Sequence, residues 1–251
     1  MSPRAWSPTA GWSFFLAAEL ARGEIPAAPD AARTVFGPAL GAAEHYAQLL
    51  AGAGVARGLI GPAEADRIWE RHLLNCGVVA ELVPDGGVLA DLGSGAGLPG
   101  IVLAILRPGT EVVLIEPMVR RTVFLSACAA ELGLANVRVE RSRAEDLAGR
   151  LDADVVTARA VAPLERLAVL ADGLARRGGL VLAMKGSSAT DEVRRSAAVL
   201  SGLGVTDARI VAAGVGVIEP AATVVSFHTA STGPDSAGAG RRGGRSAGRR
   251  R

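Results

Sequence analysis

At 251 residues the chain is long enough for one large α/β domain with a small addition, and with 49% hydrophobic but only 4% aromatic residues it must fill its core with Leu, Val, Ile and Ala. The formal charge of +2 hides an asymmetry: the last eleven residues, RRGGRSAGRRR, carry six arginines, which leaves 21 basic against 25 acidic residues in the rest. No uncharged apolar run reaches the ~18–20 residues that a bilayer crossing needs, and two cysteines inside predicted helices do not make a disulfide framework.

Residues 1–34 are rich in Ala, Pro and Ser, and Pro3, Pro8, Pro26 and Pro29 interrupt helix formation, so this stretch reads as a flexible leader. Over 35–84 the apolar spacing predicts two amphipathic helices, Pro38–Leu50 and Pro62–Leu82, each with a proline near its first turn. From 85 to 230 short aliphatic runs alternate with helical spacing: VLADL at 88–92, EVVLI at 111–115, VRVE at 137–140, DVVTA at 154–158 and LVLAM at 180–184. Such alternation demands parallel pairing through right-handed crossovers, hence a doubly wound sheet with ligands beyond the carboxyl ends of its strands. After a helix near 190–203, ARIVAA and ATVVSFH follow each other without a helix between them, which predicts an antiparallel hairpin at the sheet edge. Residues 231–251 form a basic Gly/Ser-rich tail whose composition predicts disorder and favours a polyanion, although a solvated tail without a role explains it equally well.

The most informative segment is Asp91-Leu-Gly93-Ser-Gly95-Ala-Gly97-Leu98-Pro-Gly100, directly after the first strand. Glycines there let the chain turn tightly and let a ligand approach bare backbone. A dinucleotide fingerprint needs Gly-x-Gly-x-x-Gly, but Gly97 comes one residue early, and no Gly-x4-Gly-Lys-Ser/Thr phosphate loop is present. Glu116, ending the second strand, can accept hydrogen bonds from both ribose hydroxyls of an adenosine. Ser142-Arg143-Ala144-Glu145-Asp146, after the third strand, can read an adenine edge. Each acid alone is as well explained as a helix cap or solvated loop residue; the combination is the specific signal.

These segments resemble the RsmG (GidB) family of bacterial small-subunit ribosomal RNA guanine-N7 methyltransferases, in an actinobacterial-like form. The likeness rests on Arg71-His72-Leu-Leu-Asn75-Cys76, the DLGSGAGLPG loop, Glu116 with Arg120-Arg121 and Phe124-Leu125, Ser142–Glu145, Ala158-Arg159-Ala160 and Ala183-Met184-Lys185-Gly186. It spans roughly residues 35–230. It departs from many members at Asn75-Cys76, where they carry Asp-Ser, and at Gly58-Leu59-Ile60, where they carry Asn-Leu-Thr. The resemblance implies a Rossmann-like class I methyltransferase sheet with an N-terminal helical appendage, S-adenosyl-L-methionine as cofactor, no metal, ribosomal RNA within the small subunit as partner and a cytoplasmic setting. It implies cofactor contacts from Gly93, Gly95, Gly97, Leu98, Glu116, Ala144, Glu145 and Arg159.

Guanine N7 presents a lone pair and carries no proton, so methylating it calls for alignment rather than a general base. Arg159, at the end of the fourth strand, is the candidate catalytic residue, able to bind a carboxylate, a phosphate or a guanine edge through its planar fork; a structural salt bridge is the plain alternative. Arg71, His72, Arg120, Arg121, Arg143 and Lys185, the only lysine, are the candidate RNA contacts. For His72 packing between helices weighs as much as base stacking, and for Lys185 an exposed strand-end cation explains its position nearly as well. Three rival functions are a small-molecule methyltransferase, which needs a closed lid rather than a basic rim, a non-catalytic ribosome-binding protein, and an NAD oxidoreductase, against which the Gly97 register speaks.

Overall fold

The computed structural model describes residues 25–230; the expected tail and most of the leader lie outside them. Seven strands form one mixed sheet: β1 Val88–Leu92, β2 Glu111–Ile115, β3 Val137–Glu140, β4 Ala153–Arg159, β5 Ala175–Lys185, β6 Arg209–Ala213 and β7 Ala222–His228. Their order is β3-β2-β1-β4-β5-β7-β6. The first five are parallel, and β7 inserts antiparallel between β5 and β6. The expected edge hairpin is therefore present, and its second strand, richer in β-branched residues, takes the inner place against β5. The order reverses between β1 and β4, so the crevice where a doubly wound sheet binds ligands lies at the ends of these two strands.

Helices α1 Asp30–Phe36, α2 Leu40–Leu49, α3 Gly100–Leu106 and α4 Val119–Glu131 supply residues such as Ala32, Leu49, Ile101 and Phe124 to one core layer together with Leu89 and Leu114 of the sheet. The short α5 Ala144–Leu147, α6 Leu164–Leu174 and α7 Ala189–Gly202 pack with Ala90, Leu92, Val113 and Ile115 on the other face. Alternate strand residues thus feed opposite layers, as the pleat requires. Helix α1 begins inside the stretch read as leader. Tyr46, Trp69 and Leu73 belong to the same continuous core as the strands, so the N-terminal helices are integral to it.

The second predicted helix departs from regular spacing. It runs as a 3-10 turn over Pro62–Arg67, a wide π-helix over Ile68–Leu74, an α turn at Asn75–Gly77 and a 3-10 turn over Val78–Leu82. Within the wide stretch the Arg159 side chain donates to the Arg71 carbonyl at 3.0 Å.

Candidate active site

The loop after β1 is held from below. The N–H groups of Gly93 and Ser94 both donate to the Ile115 carbonyl at 3.0 Å, and the Tyr46 hydroxyl donates to the Ala96 carbonyl at 2.7 Å. Asp91 is wholly buried; its carboxylate accepts from the Gly100 N–H at 3.1 Å and the Thr157 hydroxyl at 3.3 Å. Burial, opposed in part by these hydrogen bonds, pushes the carboxyl up to about 6. Asp91 ties the start of α3 to the strand it follows, which is an anchoring task rather than ligand contact.

Each glycine in the loop has a separate reason. Gly93 and Gly95 take left-handed φ values of +69° and +57°. A Cβ added to Gly95 would find only the Gly93 carbonyl, 3.8 Å away, so bare backbone faces open space there. At Gly93 a Cβ would meet Val161 at 2.8 Å, so that position brings the loop against the segment after β4. At Gly97 (φ +97°) the Cβ would strike Ile101 at 2.6 Å and the Tyr46 hydroxyl at 2.7 Å, and at Gly100 it would strike Leu114 and Asp91. The last two glycines serve close packing, and that explains why their register need not match a dinucleotide fingerprint.

Glu116 lies under the open side of this loop, 2% exposed. Its carboxylate accepts from the Gly95 N–H at 3.2 Å and the Met118 N–H at 3.0 Å, and Arg121 pairs with it at 3.3 Å. A carboxylate fixed by backbone beside an uncovered glycine is a fitting cradle for the diol of an adenosyl ribose, so the residues present suit S-adenosylmethionine. Arg121 is therefore tied to Glu116 while its side chain stays 36% exposed, and Arg120 beside it is exposed. Ala144 is buried at the start of α5, while the exposed Glu145 pairs with Arg166 at 3.3 Å on the surface. Arg143 is exposed and Leu98 half-buried.

Beyond the ends of β4 and β5 opens a cavity of about 650 Å³ lined by residues that include Arg71, Asn75, Arg159, Val161, Lys185 and Glu192. Val161 connects it to Gly93. Arg159 hydrogen-bonds to neutral groups: it donates to Cys76 Sγ at 3.2 Å, the Arg71 carbonyl at 3.0 Å and His72 Nδ1 at 3.0 Å. The salt-bridge alternative therefore gives way to a cation held by neutral acceptors. His72 is buried between these groups and Glu64, whose carboxylate lies 3.5 Å from Nε2, so packing rather than base stacking is its place. Desolvation, joined by the neighbouring Arg159 charge, lowers the imidazole to about 4 and keeps it neutral. Lys185 is also corrected: its side chain is 8% exposed, bonded to Glu192 at 2.8 Å and to the Ala162 carbonyl at 2.9 Å. The ion pair compensates its burial and leaves no free ammonium for RNA.

Sequence reasoning missed Tyr46, Thr157 and Glu64. Tyr46 had a signal, since it is the only tyrosine of the chain and a phenol placed on a helix's apolar side needs a partner for its hydroxyl. Among the described residues no cluster of three or more His, Cys, Asp or Glu side chains could hold a metal, and no helix is long and apolar enough to cross a membrane.

A parallel sheet with β7 reversed between β5 and β6, a glycine loop after β1 and a buried acid ending β2 define a class I S-adenosylmethionine-dependent methyltransferase. A solved Methanococcus maripaludis protein provisionally assigned to the S-adenosyl-L-methionine-dependent methyltransferases shares this fold, with a TM-score of 0.53 at 12% identity over 78% of this chain and 95% of that one. The GidB family model, rRNA small subunit methyltransferase G, matches residues 40–217, and the chain belongs to that family. The ribosomal RNA small subunit methyltransferase G of Thermobifida fusca is 55% identical over 196 residues, 78% of this chain and 83% of that protein. Its counterpart in Mycolicibacterium gilvum is 52% identical over 205 residues, 80% of this chain and 90% of that protein.

Proposed function

We propose that the chain transfers a methyl group from S-adenosylmethionine to N7 of a guanosine in small-subunit ribosomal RNA, in the cytoplasm. One observation favours a ring nitrogen over a hydroxyl or an amine as acceptor: the single carboxylate among the cavity-lining residues, Glu192, is already engaged by Lys185. A hydroxyl or an amine acceptor must lose a proton during methylation, and a paired carboxylate is a poor base for it. Guanine N7 has none to lose.

Bound S-adenosylmethionine supplies an electrophilic methyl on a sulfonium centre. The protein's share is orientation: Glu116 takes the ribose hydroxyls, the glycine loop admits the ligand to bare backbone, and Arg159 offers the donors left on Nε and Nη1 to an oxyanion or to the guanine edge at the cavity wall. Val161, between loop and cavity, gives the two an apolar surface in common. The exposed guanidinium groups of Arg71, Arg120 and Arg143 supply phosphate contacts, which position RNA without reading its sequence.

The test is transfer of labelled methyl to purified small ribosomal subunits from a strain lacking this gene, followed by nucleoside analysis. Label on N7 of one guanosine is the expected result. Label on another atom, or none despite measurable cofactor binding, overturns the reading.

A further inference from the structure

Arg159 enters the cavity from the end of β4, but the groups that hold it come from a separate part of the chain. Its guanidinium donates to three acceptors within six residues of the N-terminal helical run: the Arg71 carbonyl, His72 Nδ1 and Cys76 Sγ. A guanidinium can only donate, so His72 Nδ1 must accept, and the ring proton sits on Nε2, facing Glu64 at 3.5 Å. Glu64 also accepts from Arg71 Nε at 2.9 Å, which leaves its charge largely answered before it reaches the ring. All three direct acceptors are neutral. They fix direction without cancelling charge, unlike a carboxylate partner, which would do both.

The backbone beyond Arg159 agrees. Ala160 has φ +53°, the only left-handed non-glycine among the described residues, directly where β4 ends and the cavity wall begins. Such a conformation costs on the order of 1 kcal/mol or more and persists where surrounding contacts over-determine it. The bonds from Arg159 to the N-terminal run are contacts of that kind.

We propose that Arg71 (through its carbonyl), His72 and Cys76 form a clamp of neutral acceptors that positions Arg159, so that the N-terminal helices complete the catalytic pocket and present to an oxyanion a guanidinium that has no carboxylate bonded to it, with the buried Asp91 the nearby counter-charge. His72 and Cys76 are positioning residues, acting through Arg159. The oxyanion is either an RNA phosphate or the carboxylate of the methionyl group. This inference rests on the methyl-transfer reading for its kinetic effect, but the clamp itself has a readout without substrate.

The decisive variants are at Cys76, because thiol, hydroxyl and methyl differ little in volume. Cys76→Ala removes the acceptor and should lower kcat/KM for subunit methylation at least fivefold; Cys76→Ser keeps one and should recover most of that loss. In an Arg159→Ala background the two should be indistinguishable. In parallel, the Arg159 Hη resonances of the ligand-free protein, resolved while the clamp hinders rotation, should merge in Cys76→Ala and stay resolved in Cys76→Ser. A matching loss in S-adenosylmethionine affinity assigns the oxyanion to the methionyl carboxylate; a rise in KM for the subunit at constant cofactor affinity assigns it to an RNA phosphate. Equal activity of Cys76→Ala and the unaltered protein, equal impairment of both Cys76 variants, or a difference that survives Arg159→Ala overturns the clamp. Absence of methyl transfer by the unaltered protein, with the NMR differences intact, sinks the proposed function and leaves the clamp standing.

Discussion

Replacing Gly97 by alanine separates packing from ligand approach within one loop. The new methyl would lie 2.6 Å from Ile101 Cγ1, 2.7 Å from the Tyr46 hydroxyl and 3.1 Å from Leu125 Cδ2, and all three side chains are wholly buried, so none has room to withdraw. Overpacking of that kind costs about 1–3 kcal/mol. Backbone at φ +97° adds roughly 1–2 kcal/mol for a residue with a Cβ, giving about 2–5 kcal/mol together. That is a large part of the ~5–15 kcal/mol by which a domain is stable. Gly95→Ala is the control: it carries a left-handed φ of +57° but meets no atom closer than 3.8 Å, so only the backbone cost of about 1–2 kcal/mol applies. Urea unfolding of both variants gives the comparison through midpoints at constant slope. Gly97→Ala should unfold at clearly lower urea, whereas Gly95→Ala should fold well and lose S-adenosylmethionine affinity in calorimetry. Equal midpoints would refute the assignment of Gly97 to packing, and unchanged affinity in Gly95→Ala would refute the cradle.

Tyr46→Phe strands the buried Ala96 carbonyl and should cost about 1–3 kcal/mol in the same unfolding assay; combined with Gly97→Ala, whose methyl crowds that hydroxyl, the double variant should be less destabilised than the sum of the two. Glu116→Gln removes a charged acceptor and should weaken cofactor binding by about 1.5–3 kcal/mol, measured by calorimetry, with an unaltered Kd counting against the ribose role. Two buried groups oppose each other with pH. Between about pH 4 and 6.5 the unfolded chain holds a proton on His72 that the folded chain lacks, so this site adds stability as pH rises. Between 3.8 and about 6 the folded chain holds a proton on Asp91 that the unfolded chain lacks, so this site removes stability as pH rises. Asp91→Asn deletes the second effect, and from pH 5 to 6 its stability should climb by about 1 kcal/mol more than that of the unaltered protein. Parallel pH profiles would show that Asp91 is not shifted as its burial requires.

Elements whose signal is local were legible in the residues. Five aliphatic runs with helical spacing between them sufficed for the parallel sheet, and the missing helix between ARIVAA and ATVVSFH was enough for the reversed strand. That Gly95 and Glu116 lie together could be read because a glycine loop and an acid at the ends of neighbouring parallel strands converge. What escaped depends on pairings between distant segments. Nothing near Lys185 says that Glu192 folds back onto it, nor does anything near Arg159 name Cys76, 83 positions earlier, as its partner. The pitch of Ile68–Leu74 was hidden as well, because its apolar spacing reads as an ordinary α-helix.

The lone lysine has a practical consequence. With Lys185 enclosed by Glu192 and the Ala162 carbonyl, the only side-chain amine in the 251 residues is shielded from solution. Reagents that target amines, such as succinimidyl dyes, bis-ester cross-linkers or an acetyltransferase, would find this side chain held in its ion pair, so amine chemistry leaves the wall of the cavity that Lys185 lines unmodified.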